Sequence, residues 1–158
     1  MRKRILVLDF DGVIHSYTSG WQGARVIPDQ PVPGAIDFLL RALVEFDVAI
    51  LSSRSHQWGG RRAMKGWLRM QLAEWIDQKW PDGQTYGHVG PIPFFSPGMD
   101  PWDVEVAEWA NGIVRMIRWP LFKPPAHVTI DDRAIAFNGK WPFLQEIVDF
   151  RPWNKREV

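Results

Sequence analysis

The chain has 158 residues, of which 46% are hydrophobic, and this suits one folded domain with a sizeable core. Its 19 Lys and Arg and 18 Asp and Glu give a net charge of +1, so overall charge provides no pull toward nucleic acid or an anionic membrane. The absence of cysteine excludes disulfides, thiolate metal sites and a cysteine nucleophile.

The N-terminal sequence MRKRILVLDF begins like a secretory signal, but its apolar run is only four residues long before Asp9. A signal segment needs roughly 7 to 15 apolar residues, and a membrane span needs roughly 20. We therefore expect a cytoplasmic protein without a membrane segment.

The first half of the chain predicts two buried strands and two amphipathic helices. The apolar run that ends at Asp9 is typical of a central parallel strand. Glycines and prolines over 13–32 predict a loop or flap that could hold a small hairpin. Apolar spacing predicts a helix around 36–44, DVAILSSRS predicts a second buried strand, and the spacing over 60–79 predicts a second helix.

The second half contains an irregular insertion over about 81–112, within which DPWD has the residues of a helix start at Asp100. The segment IVRMIRW fits either the end of that helix or a strand. HVTIDD predicts a third buried strand, AIAF is a candidate fourth strand, and WPFLQEIVDF predicts a closing helix. Alternating strands and helices predict one α/β domain over 1–158, with a mostly parallel sheet and right-handed crossovers.

Three of the predicted strands end in polar side chains. Ligands of open α/β sheets bind beyond the carboxyl ends of the strands, so parallel strands would gather these side chains at one edge. Two carboxylates 4 Å apart repel by about 4 kcal/mol at an effective dielectric near 20, and this cost calls for protons or a cation. Oxygen ligands without sulfur favour Mg²⁺. The polar strand ends are Asp9 and Asp11; Ser52, Ser53 and Arg54; and Asp131 and Asp132.

Two carboxylates one residue apart, beside such a cation, are suited to phosphoryl transfer. Asp9 could attack phosphorus to form an aspartyl-phosphate, and Asp11 could protonate the leaving oxygen and later activate water. Backbone N–H groups around Gly12 could hold phosphate oxygens, because glycine permits a close approach. The hydroxyl of Ser52 and the ammonium of Lys123 could bind the remaining oxygens.

Four segments resemble, in order, the four motifs of the haloacid dehalogenase-like (HAD) superfamily: DFDGV, AILSS, the lysine of LFKPP, and VTIDD. The match spans residues 5–132. The resemblance implies a Rossmann-like three-layer α/β/α sandwich, usually with strand order 5-4-1-2-3, and a Mg²⁺-dependent phosphatase. It also implies Asp9 as the nucleophile and Asp11 as the acid/base.

The resemblance further implies the ligands of the metal and the phosphate. Mg²⁺ would be held by Asp9, the backbone carbonyl of Asp11 and Asp131, with Asp132 close behind. The implied phosphate ligands are Ser52 and, in the motif order, Lys123.

Two positions depart from the usual pattern of the superfamily. Val13 stands where threonine is frequent, although valine also occurs. Lys123 lies only eight residues before Asp131, so Lys65 and Lys79 remain alternatives for the phosphate-binding lysine.

Many superfamily members carry a cap domain over the site, but the segments at 13–32 and 81–112 are short for one. We therefore expect a protein with no large cap domain, whose open site suits a large substrate or a small one covered by a partner subunit. His15, Arg54 and Arg133 are candidate substrate contacts, although Arg54 and Arg133 fit local ion pairs equally well.

Two other functions remain open. Arg61, Lys65 and Arg69 recur along one helix face, and this basic stripe could guide a nucleic acid or nucleotide 3′-phosphate to the site, although a solvated face is the simpler interpretation. A non-catalytic binding module could use the 10 tryptophans as an interface. For most of those tryptophans, large core and interface area is a better explanation than stacking on nucleic acid bases.

Overall fold

The structure, a computed structural model, describes residues 2–79, 104–136 and 138–156. The expected start of a helix at Asp100 and the irregular part of the insertion lie outside these residues. Short 3₁₀ turns occupy Ser53–His56 and Trp153–Lys155. The strands are β1 (Ile5–Leu8), β2 (Asp47–Ile50) and β3 (Val128–Ile130), and the α-helices are α1 (Ala35–Glu45), α2 (Gly60–Lys79), α3 (Val104–Met116) and α4 (Leu144–Val148).

The sheet is open and parallel, with strand order β2-β1-β3. Ile5 pairs with Asp47 on one side of β1, and Leu6 pairs with Val128 on the other. β1 is central, and its residues Leu6 to Leu8 are buried. This burial explains the uninterrupted apolar run, since a covered parallel strand has no solvated face. The predicted α/β class and parallel sheet are confirmed.

The segment IVRMIRW divides between a helix and a strand-like pairing. α3 ends at Met116, and Arg118 then pairs in parallel with Ala49 on the outer edge of β2. The amide of Ile50 donates to the carbonyl of Arg118, and the amide of Arg118 donates to the carbonyl of Val48, each at 2.9 Å. This segment therefore extends the sheet beyond β2.

The hydrophobic core forms where α1, α2 and α3 present their apolar faces to β1 and β2. α2 follows the predicted span of 60–79 and buries Met64, Leu68 and Leu72 completely. α1 contributes Leu39, and α3 contributes Trp109. Burying one such side chain stabilises the fold by about 1.5–3 kcal/mol, so this apolar stripe holds α2 in the common core.

The flap, residues 13–32, is closed at its base by hairpin-like pairing. The amide of Val32 donates to the carbonyl of Ile14 at 2.8 Å, and the amide of Ser16 donates to the carbonyl of Gln30 at 3.0 Å. His15 bridges Pro31 in the antiparallel sense. The small hairpin predicted from the glycines and prolines is therefore present next to the end of β1.

The prediction that HVTIDD forms a buried strand is wrong in one respect. β3 is a strand, but Val128 and Ile130 are 48% and 37% exposed. The reason is that β3 is the last strand on its side of the described sheet: the candidate strand AIAF is irregular over 134–136, and its residue 137 lies outside the described residues.

The predicted closing helix is present as α4, which has only five residues and buries none of them. Among all the helices of the described residues, none is long and apolar enough to cross a membrane.

Candidate active site

Three carboxylates meet at the carboxyl end of the two adjacent strands β1 and β3. Asp9 follows β1, and Asp131 and Asp132 follow β3. The amide of Asp9 donates to the carbonyl of Ile130 at 2.9 Å, which fixes the two strand ends side by side. Each carboxylate offers an oxygen within 4.8 Å of the other two. Residues more than 120 positions apart in the chain therefore form one acidic cluster.

Burial and charge act together on Asp9. Burial raises its pKa, the neighbouring carboxylates of Asp131, Asp132 and Asp11 raise it further, and the result is a pKa of about 7. A hydrogen bond from the amide of Phe10 to Oδ1, at 2.7 Å, works in the opposite direction. Without a cation, ionising Asp9 therefore carries a clear electrostatic cost.

The carboxylate of Asp132 is an unsatisfied group inside this cluster. Its side chain is 1% exposed, and neither oxygen accepts a hydrogen bond from the described part of the chain. Burial raises its pKa. The guanidinium of Arg133 lies nearby, with Nε 3.8 Å from Oδ2, but it donates no hydrogen bond to this carboxylate. A buried carboxylate without hydrogen-bond donors is costly, and a metal ion bound to its oxygens would reduce that cost. The donors are all carboxylate oxygens, so the residues present fit Mg²⁺.

Gly12 leaves space for this carboxylate. It has a φ of +83°, and a Cβ at this position would collide with the side chain of Asp132. Its amide donates to the carbonyl of His15 at 2.7 Å and so closes the turn. The N–H of Gly12, expected to hold phosphate, is thus already engaged. The amide of Asp11 makes no hydrogen bond within the described ranges and is the N–H of this turn that remains for an anion.

The side chain of Asp11 lies apart from the three-carboxylate cluster and is held by two cationic or polar partners. Oδ1 lies 2.9 Å from Nδ1 of His15, and Oδ2 accepts from Nε of Arg54 at 2.8 Å. Burial works to raise the pKa of Asp11, but these two hydrogen bonds and the charge of Arg54 outweigh it and hold the pKa below its usual value. Only the backbone carbonyl of Asp11 remains as an expected metal ligand.

His15 and Arg54 were candidate substrate contacts, but both are completely buried. Both side chains contact Asp11 and not the solvent. For Arg54, the structure therefore contains the local ion pair that was the alternative to a substrate contact. Arg133 differs: it is largely exposed, its Nε lies 3.8 Å from Oδ2 of Asp132, and its guanidinium lies 5.9 Å from the ring of Tyr17.

Ser52 and Ser53 follow β2 at the same edge of the sheet. The hydroxyl oxygen of Ser52 accepts from the amide of Arg54 at 3.2 Å and caps the 3₁₀ turn that begins there. Its O–H can still donate to another group. Ser53 is exposed and makes no side-chain hydrogen bond with the described residues.

The three lysines considered for phosphate binding differ in their surroundings. Lys65 lies over the ring of Trp119 at 5.6 Å, and Lys79 lies 3.4 Å from a carboxylate oxygen of Asp37. Both are therefore engaged away from the acidic cluster. Lys123 is exposed and forms neither a hydrogen bond nor an ion pair with any residue of the described ranges.

The basic stripe on α2 also has partners within the protein. Arg61 donates to the carbonyl of Trp119 at 3.4 Å, and Arg69 donates to the side chain of Asn111. Because Lys65 packs on Trp119 as well, this face binds the α3 side of the molecule. It is not the fully solvated face that the simpler interpretation predicted.

The C-terminal turn contributes contacts that sequence reasoning missed. Nε1 of Trp153 donates to the carbonyl of Gly12 at 2.7 Å, and Nδ2 of Asn154 donates to the carbonyl of Ser16 at 3.1 Å. These pairs are separated by about 140 residues in the chain, and no periodicity links them. The only signal in the sequence was that Trp153 and Asn154, in the irregular segment RPWNK, both carry N–H donors that could bind backbone carbonyls.

Comparison of the chain with protein-family models, with curated proteins and with solved structures gives no match. The functional conclusion therefore depends on the chemistry of the site itself.

Proposed function

We propose that this protein is a Mg²⁺-dependent phosphomonoester hydrolase that works through an aspartyl-phosphate on Asp9, in a HAD-like fold without a large cap domain. The observation that carries the proposal is the acidic cluster of Asp9, Asp131 and Asp132, in which the carboxylate of Asp132 is buried without a hydrogen-bond partner in the described ranges. The guanidinium of Arg133 lies 3.8 Å away without a hydrogen bond, so a metal ion bound to these oxygens would lower the cost of burying them.

The strand order supports the fold part of the proposal. β1, which carries the first motif, is flanked by β2 with the second motif and by β3 with the last. The Arg118 segment lies beyond β2. The order is the one implied by the resemblance for the central strand, its two neighbours and the next strand along. Fold alone would not indicate an activity, so the catalytic proposal depends on the site.

In the first step, Asp9 attacks phosphorus, an Asp9–O–P bond forms, and the bond from phosphorus to the leaving oxygen breaks. The leaving oxygen receives a proton through Asp11. A phosphomonoester has a second pKa near 6, so at neutral pH a fraction of the substrate is still protonated on the phosphate. This form of the substrate supplies the proton. In this way the first step is compatible with the lowered pKa of Asp11.

In the second step, Asp11 takes a proton from water as the water oxygen attacks phosphorus, and the Asp9–O–P bond breaks to release phosphate. The carboxylate form of Asp11, which its two partners favour, is the form that this step requires. When bound by Asp9, Asp131, Asp132 and the carbonyl of Asp11, Mg²⁺ would neutralise the charge of the carboxylates and of the phosphoryl oxygens.

The test is the release of phosphate from an aryl phosphate by the wild-type protein, by Asp9→Asn and by Asp132→Asn, each with Mg²⁺ or with a chelator. We expect Asp9→Asn to reduce kcat by at least about 10³-fold, because a nucleophile cannot be replaced by positioning alone. We expect Asp132→Asn mainly to raise the Mg²⁺ concentration that gives half-maximal activity. Equal rates for wild type and Asp9→Asn, or rates independent of Mg²⁺, would refute the proposal.

A further inference from the structure

The carboxylate of Asp11 is fixed at both of its oxygens. Nδ1 of His15 contacts Oδ1 at 2.9 Å, and Nε of Arg54 donates to Oδ2 at 2.8 Å. The side chains of both partners are completely buried, while that of Asp11 is 12% exposed. A carboxylate held in this way cannot rotate freely, and its remaining lone pairs point in fixed directions.

The donor role of His15 follows from its partner, because the carboxylate oxygen of Asp11 can only accept, so Nδ1 carries a proton and donates it. On the other side of the ring, Nε2 lies 3.2 Å from the amide nitrogen of Asp29 and 3.5 Å from Oδ2 of the same residue. Asp29 therefore fixes the orientation of the imidazole. Trp67 supports this arrangement, because its Nε1 donates to the carbonyl of Asp29 at 3.1 Å and its ring packs edge-on against the imidazole.

Arg54 connects Asp11 to the flap. Its Nη1 group donates to the carbonyls of Gly23, Ala24 and Val26 at 2.8, 3.1 and 3.0 Å. Its guanidinium also lies 4.6 Å from the ring of Trp21. A planar guanidinium can serve Asp11 and the flap at once, whereas the ammonium of a lysine is a single point charge.

We propose that His15 and Arg54 are positioning residues, which together hold the Asp11 carboxyl and the flap in the geometry needed for proton transfer to the leaving oxygen. This inference rests on the proposed function. It predicts that changing either residue slows phosphoryl transfer most for the substrates whose leaving group most needs a proton. Alkyl phosphates have strongly basic leaving groups, whereas a dinitrophenyl phosphate releases a stable anion that needs none.

The test compares kcat/KM for an alkyl phosphate and for 2,4-dinitrophenyl phosphate, with Mg²⁺ present. This ratio covers the steps up to phosphoryl transfer to Asp9 and excludes the later hydrolysis, in which Asp11 acts on the same intermediate for every substrate. For Arg54→Lys we expect kcat/KM on the alkyl phosphate to fall about 10- to 100-fold, since a misplacement near 1 Å has effects of this size. We expect kcat/KM on the dinitrophenyl phosphate to fall less than about 3-fold. A merely structural defect would lower both values together.

His15→Asn and His15→Gln form a matched pair that probes the other oxygen. The amide nitrogen of asparagine overlaps the place of Nδ1 and can still donate to Asp11, whereas that of glutamine lies nearer the place of Nε2. We expect His15→Asn to keep the wild-type ratio between the two substrates and His15→Gln to lose activity selectively on the alkyl phosphate. This pair tests the proposal even where Arg54→Lys does not fold, because each oxygen of Asp11 is examined separately.

Arg41→Lys, at an exposed position on α1, controls for a general effect of replacing an arginine. If the wild-type protein hydrolyses both phosphates but the variants lose both equally, or if His15→Gln keeps the wild-type ratio, the positioning proposal is overturned and the proposed function stands. A wild-type protein that is inactive on both phosphates with Mg²⁺ would overturn the proposed function, and the positioning proposal with it.

Discussion

At Asp9, burial and the repulsion from neighbouring carboxylates both raise the pKa of the carboxyl group. Its pKa of about 7 in the folded protein lies above the value of 3.8 for a free side chain, mainly because of burial and then because of Asp131 and Asp132. Between these two pH values the metal-free folded protein holds a proton that the unfolded chain has already released. Raising the pH through this window therefore destabilises the folded state, and the loss is complete above about pH 7.

We predict that Asp9→Asn, which removes this titration, becomes more stable than the wild type as the pH rises from 4 to 8 in the presence of a chelator. The difference in the free energy of unfolding should be small near pH 4 and should grow toward an upper limit of about 4 kcal/mol. Urea denaturation of the two proteins at several pH values measures it. Adding Mg²⁺ at pH 8 should stabilise the wild type more than the variant. A difference that does not change with pH would contradict this account of Asp9.

Gly12 is the residue whose missing side chain makes room for the cluster. Gly12→Ala would strain a backbone with φ of +83° and would also collide with the carboxylate of Asp132. Gly20→Ala is the matched control, since Gly20 has a φ of +72° and open space around it. Both changes cost roughly 1–2 kcal/mol for the backbone.

We predict that Gly12→Ala loses a further 1–3 kcal/mol or so, because atoms are forced into an occupied place. That corresponds to a Tm lower than that of Gly20→Ala by roughly 2 °C or more. We also expect the stabilisation by Mg²⁺ to be reduced in Gly12→Ala alone. Equal melting temperatures and equal Mg²⁺ responses for the two variants would show that Asp132 can move aside without cost.

The sequence was sufficient to predict the location of those site residues that directly follow a strand. Asp9, Asp131 and Asp132 could be brought together in advance because parallel strands share one carboxyl edge. The partners of Asp11 could not be assigned. His15 and Arg54 reach it from a flap and from a turn after β2, and a sequence does not show whether a polar side chain in a loop faces solvent or folds inward.

Among the elements, the C-terminal 3₁₀ turn is held to the motif loop by one indole. Trp153→Phe keeps most of the ring but removes the N–H that donates to the carbonyl of Gly12. We predict a loss of about 1 kcal/mol of stability, the usual worth of one hydrogen bond, and a several-fold lower kcat/KM, since Gly12 adjoins the acidic cluster. Trp58→Phe is the control, because Trp58 is 84% exposed and its N–H makes no hydrogen bond to the described residues.

Thermal unfolding and steady-state hydrolysis of these two variants would decide the role of the turn. If Trp153→Phe and Trp58→Phe behave alike in both measurements, the C-terminal turn does not support the site.

The bounds of the long, strongly periodic helix α2 were predictable, whereas the burial of the short elements β3 and α4 was not. The bounds of α2 agree with its apolar spacing because a 20-residue helix offers five turns of pattern. β3 has three residues, and the apolar composition of Val128 and Ile130 does not show whether another element covers them. α4 has the composition of a packed helix, but its burial depends on a neighbour that local pattern does not specify.

For the whole molecule, alternation of strands and helices was enough to predict the α/β class and the parallel sheet. It did not reveal how the surface charges are used. The basic stripe on α2 looked available for an anionic partner, yet Arg61 and Arg69 contact residues near or within α3. Charge spacing shows which residues share a helix face, and the packing of a neighbouring helix decides what that face binds.

The central claim is that Asp9 and Asp131 share a magnesium ion next to a phosphoryl group on Asp9. A crystal structure of the protein with Mg²⁺ and beryllium fluoride, a mimic of the phosphoryl group, tests it most directly. The account predicts an ion bound by the carboxylates of Asp9 and Asp131 and by the backbone carbonyl of Asp11, with the fluoride group bonded to the other oxygen of Asp9. An empty cluster at saturating Mg²⁺, or a fluoride group bound away from Asp9, would contradict it.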